Sequence, residues 1–144
     1  ESAKKDFNNI SLRELKIIGI ILYLGEGGKT KNIVRVANSD PAVIKIMMRF
    51  FREICCVPEE KFRGIIHAFA HTDILATEKY WSKVSGIPRK QFFKTYTKPS
   101  AASLNKRNTL PFGTFDIYVC DTKLFLTIMG WIGKIEELLL KDCM

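Results

Sequence analysis

The spacing of apolar positions changes several times along the chain, and each change marks a structural element. The first run, "IIGIILYL" from Ile17 to Leu24, is apolar on every side of a helix, the pattern of a helix buried on two faces rather than one. Upstream, "SLRE" from Ser11 to Glu14 is a capping box, in which the serine side chain bonds the Glu14 amide and the glutamate returns to the serine amide. A helix is therefore expected over about residues 11–27. It closes at Gly27-Gly28, where glycine can take the left-handed conformation.

The pattern then shortens to a strand, "KNIVRVAN" (Lys31 to Asn38). "SDP" opens a second helix with Pro41 in its first turn and Val43, Ile44, Met47, Met48, Phe51 and Ile54 as its buried stripe. A second strand is expected over about Lys61 to Phe69, a third helix over Asp73 to Ser85 closing at Gly86, and a third strand over Gln91 to Thr97. "KPSAASLNKRNTLP" reads as a basic loop over about residues 98–111. "GTFDIYVC" is a last strand before a C-terminal helix over about residues 122–141. Within the strands polarity alternates. Arg63 and His67 oppose Phe62, Gly64, Ile66 and Ala68; Lys94, Tyr96 and Lys98 share a face, as do Asp116 and Tyr118. One sheet face is thus basic and aromatic, and the other is free to pack on helices. The class is α+β in a single domain covering residues 1–144, although helix–strand alternation alone leaves parallel and antiparallel pairing both open.

Charge sharpens this picture. The 144 residues carry a formal net charge of +8 and a pI near 9.4. From Lys79 to Phe115 the bases Lys79, Lys83, Arg89, Lys90, Lys94, Lys98, Lys106 and Arg107 occur without an acid, the footprint expected for a polyanion partner. Cys55, Cys56, Cys120 and Cys143 lie in apolar surroundings and form no C-x-x-C pair, so they read as reduced packing residues of an intracellular protein. His67 and His71 have helical metal-pair spacing but fall on a strand pattern, where residues four apart are not adjacent, and so read as core or groove histidines. No secretory or transit segment is visible and no apolar run reaches bilayer length, so a soluble, non-membrane protein is expected.

The stretch "YLGEGGKT", Tyr23 to Thr30, ends like a phosphate-binding loop. It has tyrosine where that loop needs its first glycine, and it follows a helix rather than a strand, so no nucleotide cofactor is expected. Its other feature is an apolar helix ending in a small residue, an acid and a glycine. In this, "GIILYLGEG" (Gly19 to Gly27) resembles the motif of the LAGLIDADG homing endonucleases, with Gly25 as the small residue, Glu26 as the acid and Gly27 as the closing glycine. The family's third position is usually glycine or alanine and here is Ile21. "NSDP" after the first strand and "KP" followed by a basic loop and "LPFG" also resemble small members of the superfamily, and the element order covers nearly the whole chain.

The resemblance implies a curved, mainly antiparallel four-stranded sheet with helices on one face and the motif helix at a dimer interface. Ile18, Ile21, Leu22 and Gly25 would form that interface. A single motif per chain implies a homodimer and a roughly palindromic target in double-stranded DNA. Glu26 would hold Mg²⁺ (or Mn²⁺) beside the scissile phosphate, with Lys98 as a second catalytic candidate. Arg35, Arg63, His67, Lys94, Tyr96 and Lys98 would face the major groove, and Lys29, Lys31, Lys98, Lys106 and Arg107 would contact the DNA, phosphates included. Two rivals stand beside this reading. Relatives that bind DNA as regulators lack the acid, which is present here; a protein-interaction domain with incidental charge would show little salt dependence of DNA affinity.

Overall fold

The computed structural model describes residues 2–98 and 111–141. After a short 3₁₀ turn come α1 (Leu12–Glu26), β1 (Val34–Asn38), α2 (Pro41–Arg49), β2 (Phe62–Phe69), α3 (Ile74–Ser85), β3 (Tyr96–Lys98), β4 (Thr114–Val119) and α4 (Thr122–Leu140). The helices begin as their sequences dictate. Ser11 and Glu14 close the capping box of α1, and Asp40, Asp73 and Asp121 accept amide hydrogen bonds at the starts of α2, α3 and α4. Gly86 ends α3 in the left-handed conformation at φ 75°. Gly27 does not do the same for α1. It is extended at φ −81°, and the positive φ values fall instead on Lys31 and Asn32, so β1 starts at Val34 rather than Lys31.

The strands form one mixed sheet in the order β1-β4-β2-β3. β4 pairs antiparallel with both β1 and β2, whereas β3 pairs parallel with β2 and is confined to three residues. The third strand expected from Gln91 is therefore shorter and starts at Tyr96. Its neighbour is β2, not the last strand, because Phe92 already bridges Gly64 and Phe93 N–H donates to the Gly64 carbonyl at 2.9 Å. Lys94 accordingly precedes the strand instead of lying in it.

The inner face of the sheet presents Val34, Val36, Phe62, Ile66, Ala68, Phe115, Ile117 and Val119, all buried in one core with Ile20 and Tyr23 of α1, Ile44, Met47 and Met48 of α2, Trp81 of α3 and Ile128 and Ile132 of α4. Trp81 stacks on Phe115 at 5.2 Å and donates its indole N–H to the Phe112 carbonyl at 2.8 Å. The second helix does not run on as an α-helix through its apolar stripe. Phe50–Ile54 form a π-helical turn, which lets two successive phenylalanines, Phe50 and Phe51, both be fully buried. Phe50 lies so close to α1 that a methyl group at Gly19 would overlap its ring. The intimate glycine contact of the motif helix is thus at Gly19, while Gly25 faces open space.

The cysteines also differ from expectation. Cys56 and Cys120 are exposed; Cys55 is half-buried, and burial pushes its thiol up to about 12. Among the described residues no helix is long and apolar enough to cross a membrane.

Candidate functional site

The end of α1 is tied to the sheet. Gly27 bridges Val36, and the Gly28 N–H donates to the Arg35 carbonyl at 2.8 Å, so the residues after the helix run antiparallel along the edge of β1. From the core, the Tyr23 hydroxyl donates to the Gly28 carbonyl at 2.6 Å, and burial raises its pKa and keeps it a donor. Lys29 Nζ donates to the Gly27 carbonyl at 2.9 Å, meeting part of the carbonyl demand at a helix end. Glu26, the last residue of α1, is exposed, and among the described residues nothing pairs with its carboxylate. It opens on a pocket of about 350 Å³ that also takes in Gly28, Lys31, Arg35 and Asp116.

The outer sheet face continues from that pocket. Arg35, Tyr118 and Arg63 lie opposite one another across β1, β4 and β2; Ala37, Asp116 and Ile65 form the next row, and Thr114, His67 and Tyr96 the third. Asp116, only 1% exposed, takes both Nε and Nη2 of Arg35 on its Oδ2, the former at 3.0 Å, and raises the Arg35 pKa by that bond. His67 Nε2 lies 3.9 Å from the same oxygen, and its ring stacks on Tyr96 at 5.4 Å. The Arg35 guanidinium sits 5.5 Å from the Tyr118 ring. A second depression, about 480 Å³, is lined by Arg35, Ile65, Phe93, Lys94, Tyr96 and Tyr118.

Six of the sequence-designated groups therefore share one surface: Arg35, His67 and Tyr96 on the sheet, Lys94 just before β3, and Glu26 and Lys31 at the β1 edge. Arg63 is on the same face, but its Nη1 is held by the carbonyls of Glu60 and Phe62 at 2.6 and 2.7 Å, which ties it down at the strand's start. Lys98 closes β3, and its side chain, like Lys106 and Arg107, lies outside the described residues. Ile18, Ile21 and Gly25 lie on the outer side of α1, where Ile17 and Ile21 are 47% and 43% exposed, whereas Leu22 is partly buried against the chain's own core. The acid-free basic run does not form one surface. Lys79 and Lys83 are on α3, behind the core, and Arg89 is bridged to Glu78 at 2.9 Å.

The distribution of ion pairs separates the two sides of the molecule. Arg49, Arg52, Lys61, Arg89 and Lys134 each meet a carboxylate away from the outer sheet face. Among the described residues Lys31 and Lys94 have no acidic partner, and the sheet face carries one acid, Asp116, buried beneath its arginine. Mg²⁺ bound on a phosphate substrate takes one or two carboxylates and completes its shell with water and phosphate oxygens. A free glutamate at the negative end of a helix fits that donor set. The described residues hold no cluster of three or more His, Cys, Asp and Glu that would make an all-protein cage.

Sequence reasoning placed Asp116 and Tyr118 outward but gave them no role. The available signal was a lone acid in an alternating strand facing cations on its neighbours. No protein-family model, curated protein or solved structure matches the chain.

Proposed function

We propose that this chain is a sequence-specific double-stranded DNA endonuclease of the LAGLIDADG type, working as a homodimer with divalent metal. One observation carries the reading: Glu26, whose carboxylate is unpaired among the described residues, ends a helix with an exposed apolar stripe and borders a sheet face where Lys31 and Lys94 lack acidic partners among those residues. The apolar stripe of Ile17, Ile18, Ile21 and Leu22 would be covered by the same helix of a second copy, with Gly25 allowing close approach. That pairing brings two Glu26 side chains to the dyad.

Glu26 from each protomer would hold Mg²⁺ or Mn²⁺ together with a DNA phosphate. When bound, the ion would supply Lewis-acid polarisation of the phosphate and would favour deprotonation of the attacking water. The chain's own residues do the positioning. Tyr23 ties down the Gly28 segment that follows Glu26, and that segment itself bonds to the Arg35 carbonyl in β1. Lys31 neutralises phosphate beside it, and Arg35, His67, Lys94 and Tyr96 face the major groove, where donors and aromatic edges discriminate bases.

The test is cleavage selection on a randomised DNA pool in Mg²⁺, comparing the wild type with Glu26→Gln, and binding of the selected site in Ca²⁺. Glutamine keeps the size and removes the charge that retains the ion. Cleavage should fall at least about a hundredfold, as loss of metal-site groups does, while Ca²⁺-supported binding survives. Equal cleavage by both proteins removes Glu26 from the site. Tight, salt-sensitive binding with no cleavage by either identifies a DNA-binding regulator instead.

A further inference from the structure

The Arg35–Asp116 pair is more than an ion pair buried under a sheet face, because its geometry decides which edge of the guanidinium is left to act. A guanidinium has five N–H donors. Asp116 Oδ2 takes one from Nε and one from Nη2, the two on the same side of the group. The remaining donors include one on Nη1 and one on Nη2 that project in parallel off the far end, and Nη1 has no partner among the described residues. The guanidinium carbon lies over the Tyr118 ring at 5.5 Å, and the arginine side chain is 43% exposed, which leaves the far end room on the sheet surface. A parallel pair of donors matches two adjacent acceptors. In the major groove the base with two adjacent acceptors is guanine, through O6 and N7, whereas adenine offers an acceptor beside a donor.

The strand order fixes where that guanine lies. Gly27 bridges β1, so the Glu26 end of α1 adjoins the β1 edge, and β3 with Tyr96 is at the opposite edge. Arg35 and Glu26 line the same pocket. We infer that Asp116 is a positioning residue that presets Arg35 to read a guanine at the inner end of each half-site, next to the cut; this rests on the DNA-endonuclease reading above. By the dyad, the two guanines are on opposite strands.

Substitution at Asp116 can separate positioning from folding. Its Oδ1 is buried and accepts no hydrogen bond among the described residues, so Asp116→Asn loses no bond there; it retains an oxygen acceptor for Arg35, removes the charge and adds two N–H donors at the Oδ1 position. Asp116→Leu removes the acceptor altogether, and Arg35, half-exposed, is free to turn to water.

The experiment is binding selection in Ca²⁺ on a randomised pool with wild type, Asp116→Asn, Asp116→Leu and Arg35→Lys. The selected site is then remade with 7-deazaguanine, which lacks the N7 acceptor, and bound by the wild type. The expected result is a guanine preferred roughly 5- to 150-fold by the wild type at one inner position. It should be lost in Asp116→Leu and weakened in Arg35→Lys, whose ammonium can still donate to guanine but without a fixed fork, and in Asp116→Asn, with preferences at other positions kept. A merely structural Asp116 would lower affinity at all positions together and leave the inner preference intact, which overturns the inference. If the Asp116 variants do not fold, Arg35→Lys and the 7-deazaguanine site decide: an unchanged inner preference in both overturns it. A site selected by the wild type with no guanine dependent on Arg35 sinks this inference alone. Failure of the wild type to select any sequence, with no salt-dependent DNA binding, sinks the DNA-endonuclease reading and this inference with it.

Discussion

Phe115 and Asp116 are neighbours in β4, both almost wholly buried, and they belong to the two faces of one sheet. Phe115 points inward, stacked on Trp81, 5.4 Å from the Phe92 ring and close enough to Gly64 that a side chain there would collide with it. Asp116 points outward, its Oδ2 bonded to a half-exposed arginine and 3.9 Å from His67 Nε2. Burial on the inner face is the work of many apolar groups, each gaining from the others. On the outer face it accompanies a charged contact that orients a side chain. Equal burial therefore carries different meanings, and partner chemistry distinguishes them: the inner face specifies the fold, while the outer face orients donors and cations at the surface.

The comparison breaks if truncation affects the two faces alike. Phe115→Ala removes a ring from the closed core and should cost about 3–5 kcal/mol of stability. Asp116→Leu replaces a buried ion with an apolar side chain of similar size, and its partner can reach solvent, so stability should change by no more than about 1 kcal/mol. Urea denaturation of both variants against the wild type is the measurement. A loss of several kcal/mol in Asp116→Leu would make the outer face structural and undo the distinction.

Two glycines of α1 sharpen the same contrast. Gly19 faces inward onto the Phe50 ring, and Gly25 faces outward with nothing near it. Gly19→Ala forces the ring or the helix aside and should cost about 1–3 kcal/mol in the monomer fold. Gly25→Leu should leave the melting temperature of the monomer unchanged. Under the dimer proposal it enlarges a helix–helix contact, and sedimentation equilibrium should show at least about tenfold weaker self-association, since overpacking a close contact costs about 1–3 kcal/mol. Unaltered self-association in Gly25→Leu means the copies do not meet through this helix.

Much of the fold was legible because local chemistry and tertiary packing agree. "SLRE" dictated the start of α1, "SDP" that of α2 and Gly86 the end of α3. The alternation in "FRGIIHAF" and "TFDIYV" assigned each residue of β2 and β4 to its face. What was not legible depended on contacts distant in sequence. Whether Gly27 turns left-handed or stays extended is decided by its bridge to Val36, and the parallel placement of β3 by Phe92 and Phe93 on Gly64. The π-helical turn follows from burying Phe50 and Phe51 together against two different elements. In the candidate site, Glu26 and its sheet neighbours were named from motif and alternation, whereas Asp116 needed the register between β1 and β4 to reveal its partner. Arg63 and Lys94 looked equivalent as a pattern of outward bases. Only coordinates separate a guanidinium held by two carbonyls from an ammonium with no partner.

That separation gives the smallest and most selective test. Under the DNA reading, each lysine or arginine that neutralises a phosphate releases a counterion, and the slope of log affinity against log salt falls by about 0.9 for each one removed. Lys94 is exposed beside Arg35 and Tyr96 and has no acidic partner among the described residues, so Lys94→Ala should lower the slope by about that amount and weaken all sequences to a similar degree. Arg63 already spends Nη1 on the carbonyls of Glu60 and Phe62, and turning it toward a phosphate would forfeit both bonds. Arg63→Ala should therefore change the slope by well under half as much, measured by fluorescence anisotropy over a salt series with one DNA site. Equal slope changes for the two variants would show that Arg63 leaves its carbonyls on binding. No change for Lys94→Ala would remove this part of the sheet face from the phosphate path and confine contact to the β1 edge near Glu26.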